Sequence, residues 1–221
     1  MIPIHDSQTS YSKPVVTAVL IAVNVFVFLF QRSLDPYTQH DFTYMFGFVP
    51  DHFSWTNILT SMFMHGGWMH LIGNMLFLWV FGDNIEDILG RFKYLLFYVL
   101  CGAAAALAQY AINPDSRVPM VGASGAIFGV MGAYALKFPH ARIVMVGWLL
   151  FVFSFEVPAW LVMIYFIAFQ LLEGFTNIGD VLAQRGGTAF FAHIGGFFAG
   201  MALIYLFRPR DRYHDRRDLV W

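Results

Sequence analysis

The chain has 221 residues, of which 58% are hydrophobic and only 12% charged, with a mean hydropathy of +0.61 and a formal net charge of -1. Soluble domains carry about 25% charged residues, so this composition excludes a water-soluble globular domain and calls for a bilayer. The sequence holds no basic patch, nucleotide-binding loop or low-complexity tract, so nothing in it points to nucleic acid, and its single cysteine, Cys101, excludes an internal disulfide.

A helix needs about 20 apolar residues to cross a bilayer. The length therefore suits an all-α bundle of six spans in one domain, residues 1–221. The first span covers residues 14–30 and is read as a retained helix, because no small-residue cleavage site follows it. A loop over 31–55 contains the apolar stretch 44–49, expected to lie in the interface or pack on the bundle. The second span, 57–81, is unusually polar at its start, and a polar turn over 82–93 follows it. The third span is 94–112, with a run of small residues at 102–106, and the fourth is 120–136. The apolar run 143–155 is too short to span and is expected to be interfacial or packed along the bundle. The fifth span is 158–172, a loop over 173–187 is placed to cap a site, and the sixth span is 188–207. A basic tail, 208–221, completes the chain. With six spans, ten of the Lys and Arg residues fall on the side of the termini and three on the other. The positive-inside rule then makes both termini cytoplasmic.

Polar groups inside spans are costly and tend to mark function. Ser124 lies in the stretch Gly122-Ala123-Ser124-Gly125-Ala126-Ile127-Phe128-Gly129, near a helix start and between glycines that leave its Oγ uncovered. Free N–H groups and the positive dipole end gather at such a start. A serine hydroxyl needs a base to become a nucleophile, and His193 in the sixth span is the candidate. Gly196 and Gly200 follow it at small-xxx-small spacing, as Gly125 and Gly129 follow Ser124. Two such faces let helix backbones approach. His70 and Asn74, four apart in the second span, stack on one helix face and carry N–H donors for an oxyanion, together with the Ser124 N–H. His65 is offset from that line and is expected to hydrogen-bond the first loop and hold the second span in place. Phe128, one turn after Ser124, is placed to stack on the imidazole. No buried Asp or Glu lies at a depth to orient His193, which makes this a dyad. Two other readings stand beside it. One is a metal or haem site of His65, His70 and His193, although no HExxH-type pair is present. The other is a transporter or client-binding protein.

These motifs resemble those of the rhomboid intramembrane serine proteases. The resemblance rests on His65-Gly66-Gly67-Trp68-Met69-His70-Leu71-Ile72-Gly73-Asn74, on Gly122-Ala123-Ser124-Gly125, and on Ala192-His193-Ile194-Gly195-Gly196 with Gly200. Residues 82–87 also look like the turn after the second span of bacterial members. The resemblance implies Ser124 as nucleophile, His193 as general base and then acid, and His70, Asn74 and the Ser124 N–H as the oxyanion hole. It implies cleavage of single-span transmembrane substrates near the non-cytoplasmic face, without metal or cofactor, in a bacterial inner membrane. It leaves the oligomeric state open. Some members carry a Trp-Arg pair in the first loop, which this chain lacks, and some have Tyr where Phe128 stands.

Overall fold

Helix α1 (Val15–Ser33) starts at Pro14, which supplies no side-chain cap. Its first-turn donors are met from another helix: the Glu86 carboxylate accepts from the Val16 and Thr17 N–H groups at 2.9 and 2.8 Å and from the Thr17 hydroxyl. An acidic group at a helix N-terminus also suits the dipole. The computed structural model describes residues 2–148, 152–176, 189–207 and 209. Among them are eight α-helices: α1, α2 (Pro36–Phe46), α3 (Trp55–Ser61), α4 (Trp68–Leu89), α5 (Arg91–Ile112), α6 (Ser124–Lys137), α7 (Ala159–Thr176) and α8 (Phe190–Leu206). Three of these, α1, α5 and α7, are long and apolar enough to cross a membrane, and α8 is apolar but shorter.

Helix α6 is the centre. Every residue from Ala126 to Tyr134 is buried, the pattern of a helix enclosed by other helices on all sides. Around it pack Leu78, Phe81 and Ile85 of α4 and Tyr94, Phe97 and Tyr98 of α5, all fully buried. The outer face of α1 is the opposite case, with Val19, Phe26 and Phe30 exposed and suited to lipid.

The expected second span is corrected in two ways. It is broken at 62–67, so Trp68 starts α4 and His65 precedes that helix. The expected turn over 82–93 is instead continuous helix to Leu89, with the break at Gly90, φ 76°. The carboxylates of Asp83, Glu86 and Asp87 accept from the N-terminal segment. Ser10 donates to Asp83 at 2.7 Å, Ser12 N–H donates to Asp87 at 3.0 Å, and Glu86 caps α1. The fourth span also starts later than expected. Residues 120–123 are not helical, and Met120 pairs with Phe48 in an isolated bridge.

The all-α expectation is corrected by a small antiparallel sheet, in the order β1 (Ile2–Asp6), β2 (Arg142–Trp148), β3 (Val152–Pro158). It takes up residues 143–148 and 152–155 of the ambiguous run; 149–151 lie outside the described residues. Ile143, Met145 and Gly147 are buried in alternation, the period-2 pattern of a strand with one face inward. Ile2 pairs with Val146, and Met145 with Phe155. The first loop is held without a Trp-Arg pair: Asn57 Nδ2 donates to the Met45 and Gly47 carbonyls, and the Thr60 hydroxyl donates to the Phe46 carbonyl. Most of the expected capping loop, residues 177–187, and nearly all of the basic tail lie outside the described residues.

Asp6 ties the sheet to the helices. Its buried carboxylate accepts from Asn84 Nδ2 at 3.0 Å and from the Tyr134 hydroxyl. Burial, opposed in part by the Tyr134 bond and reinforced by the Asp83 carboxylate, pushes this carboxyl up from 3.8 to about 7. The folded state thus binds a proton the unfolded chain releases, and docking of β1 is strongest below the unfolded value and lost as pH rises through about 7. Amide exchange in β1 should accelerate between about pH 5 and about pH 8 beyond the intrinsic rate increase, and Asp6→Asn should flatten that excess.

Candidate active site

Ser124 is the first residue of α6, and the helix start has no side-chain cap. His193 Nε2 lies 2.7 Å from Ser124 Oγ. The two residues sit on separate helices, so the contact depends on how closely α6 and α8 approach.

Glycines set that approach. A Cβ built on Gly196 would lie 2.1 Å from the Gly125 carbonyl oxygen, and one on Gly200 would lie 1.9 Å from that of Gly129. One on Gly132 would lie 2.1 Å from the Phe197 carbonyl oxygen. The backbones are in direct contact along three successive steps, and no larger residue fits. Helix α5 closes the third side, since a Cβ on Gly125 would lie 2.5 Å from that of Ala105.

The His193 ring is fixed on its face and at both nitrogens. Phe128 stacks on it at 4.5 Å with an interplanar angle of 5°. Gln170 of α7 places Oε1 2.8 Å from Nδ1, and both side chains are buried. The sequence reading missed Gln170. Its signal was a lone carboxamide in an otherwise apolar span, the kind of residue that is expensive to place there without a partner.

Ser124, His193, His70, Asn74, Phe128 and Gln170 all line one cavity of about 670 Å³. Asn74 Nδ2 is buried with no partner in the protein, a donor left free at the cavity wall. Gly122 has φ 130°, which favours glycine, and a Cβ there would lie 2.8 Å from His70 Nε2 and 3.7 Å from Asn74 Nδ2. The absent side chain keeps open the space that both donors face. His65 stands apart. Its backbone N–H donates to Gln31 Oε1 at 3.1 Å, while its ring packs edge-on against Phe28 and His70 and makes no hydrogen bond. The expected bond from His65 to the first loop is thus corrected: the link runs through the main chain to Gln31 in the last turn of α1. Among the described residues no three His, Cys, Asp or Glu side chains are grouped to hold a metal ion.

The geometry is that of a hydroxyl paired with an imidazole beside free donors. The Rhomboid domain family model matches residues 52–210, most of the chain, and that range includes Ser124, His193, His70, Asn74, Phe128 and Gln170. The chain belongs to the rhomboid family. That family is integral to membranes. Rhomboid protein 1, mitochondrial, of Saccharomyces cerevisiae is 31% identical over 166 residues, covering 73% of this chain and 44% of that protein. RHOMBOID-like protein 1 of Arabidopsis thaliana is 30% identical over 172 residues, 77% of this chain and 39% of that one. Rhomboid protease GluP of Bacillus subtilis is 32% identical over 125 residues, 55% of this chain and 24% of that one. The chain thus matches less than half the length of these curated relatives.

The glycine contact makes a direct prediction. Gly196→Leu forces α8 away from the Gly125 carbonyl and should destabilise the bundle by about 1–3 kcal/mol or more. In the fraction that folds, a serine-directed probe should label Ser124 much more slowly than in the wild type.

Proposed function

We propose that this rhomboid is a serine-type intramembrane endopeptidase acting through a Ser124–His193 dyad. The observation that carries the reading is the 2.7 Å contact between His193 Nε2 and Ser124 Oγ on the wall of a cavity of about 670 Å³. Ser124 attacks the scissile carbonyl while its proton passes to His193 Nε2. The tetrahedral oxyanion is held by the Ser124 N–H, Asn74 Nδ2 and the His70 side chain. His193 then gives its proton to the leaving amine, and water enters the cavity to hydrolyse the acyl-enzyme with His193 again as base. The chemistry needs no metal or cofactor.

The substrates are single-span membrane proteins, cut near the non-cytoplasmic face. One matched relative, from Bacillus subtilis, is named a rhomboid protease, which supports the activity; the proposed place is a bacterial inner membrane. Others are mitochondrial or plant proteins by name and source. The proposed topology has six spans: α1, α3 with α4, α5, α6, α7 and α8. Both termini are cytoplasmic in this arrangement, and the whole chain forms one domain. Phe166 of α7 packs edge-on against Phe77 of α4 at 5.1 Å on the cavity wall, which suits α7 as the side where substrate arrives.

Ser124→Ala and His193→Ala should each abolish cleavage of a single-span reporter in reconstituted vesicles while the protein stays folded. A fluorophosphonate should label the wild type at Ser124 alone. Cleavage near the wild-type level in either variant would overturn the proposal. Asn74→Ala should lower kcat by about 10²–10³ with a smaller effect on KM, measured by steady-state kinetics on the same reporter.

A further inference from the structure

A general base needs its lone pair on the correct nitrogen. A carbonyl oxygen can only accept a hydrogen bond. Gln170 Oε1, 2.8 Å from His193 Nδ1, therefore requires a proton on Nδ1. In neutral imidazole that leaves the lone pair on Nε2, the atom 2.7 Å from Ser124 Oγ. The serine hydroxyl is then the donor in that contact, which is the arrangement that base catalysis uses.

Phe128 cannot impose this choice. A stacked ring fixes the plane of the imidazole but leaves it free to turn within that plane, and both tautomers stack equally well. Gln170 is buried and reaches the nitrogen opposite the serine contact. The two hydrogen bonds at opposite ends of the ring and the stack on its face together remove each rotational freedom.

We propose that Gln170 is a positioning residue that selects the Nδ1–H tautomer of His193 and holds its Nε2 toward Ser124. The proposal rests on the dyad reading above. A neutral amide suits the place. It supplies an acceptor without burying a charge in a bundle, where an ion is expensive. Because Gln170 belongs to α7, Ser124 to α6 and His193 to α8, the alignment of the dyad depends on three helices at once.

The test uses the full chain with ¹⁵N-labelled histidine in lipid bicelles, its His193 signals identified by their loss in His193→Ala. The wild type should carry its proton on Nδ1. Gln170→Leu, similar in size and without an acceptor, should lose that preference and lower kcat by about 10- to 100-fold, with KM changed less than about two-fold. Gln170→Glu, which restores an acceptor, should recover most of the rate. A wild-type proton on Nε2 would overturn the proposal, as would a folded Gln170→Leu protein with the wild-type tautomer and kcat. If Gln170→Leu fails to fold, the wild-type tautomer and the Gln170→Glu rate decide. Cleavage that survives Ser124→Ala would instead sink the dyad reading, and the tautomer measurement would still stand by itself.

Discussion

The direct backbone contact between α6 and α8 is the constraint on which the rest depends. Gly196 and Gly200 meet the carbonyls of Gly125 and Gly129 with no room for even a methyl group. In a bilayer there is little hydrophobic drive to bring helices together, so close packing of small residues has to supply the attraction. The same closeness brings the His193 ring to the Ser124 hydroxyl. Packing and site geometry are one feature here. The glycines that let the helices associate also set the distance across which a proton would move.

A second constraint is the placing of polar groups in an apolar body. Several are paired across elements, and those pairings hold the bundle in register. Glu86 of α4 caps α1, Asp6 of β1 accepts from Tyr134 of α6 and Asn84 of α4, and Gln170 of α7 meets His193 of α8. An unpaired polar group would be costly in this setting, so each of these contacts also specifies where one element sits against another. Asn74 Nδ2, by contrast, is buried without a protein partner on the cavity wall. A donor left free next to the Ser124 hydroxyl is what an oxyanion site needs before its ligand arrives.

The sequence made the helical spans legible because lipid-facing helices are apolar over lengths set by the bilayer. It also made Ser124, His193, His70 and Asn74 stand out, since polar residues in such spans are few. It failed where polarity was satisfied from a distance. Asp83, Asn84, Glu86 and Asp87 read as a solvated turn, yet Ser10, Asp6, Val16, Thr17 and Ser12 meet them and α4 runs on to Leu89. The sheet was hidden in part for the same reason: besides the strand that follows them, residues 143–146 pair with residues 2–6, far away in the sequence. His65 looked like part of a helix that in fact starts at Trp68. Gln170 was overlooked because a single amide has no spacing pattern, and only the position of the His193 ring gives it meaning.

The pairing of Ile2 with Val146 has a consequence for how the molecule is made. The first strand leaves the ribosome long before its partner exists. At about 5–20 residues per second it waits for several seconds at least, while α1 to α6 are synthesised between it and β2. Its Asp6 has no Tyr134 to meet until α6 is in place. Closing the sheet is therefore a late step in assembly. It fastens β1 to the helices already laid down, before α7 and α8 are made.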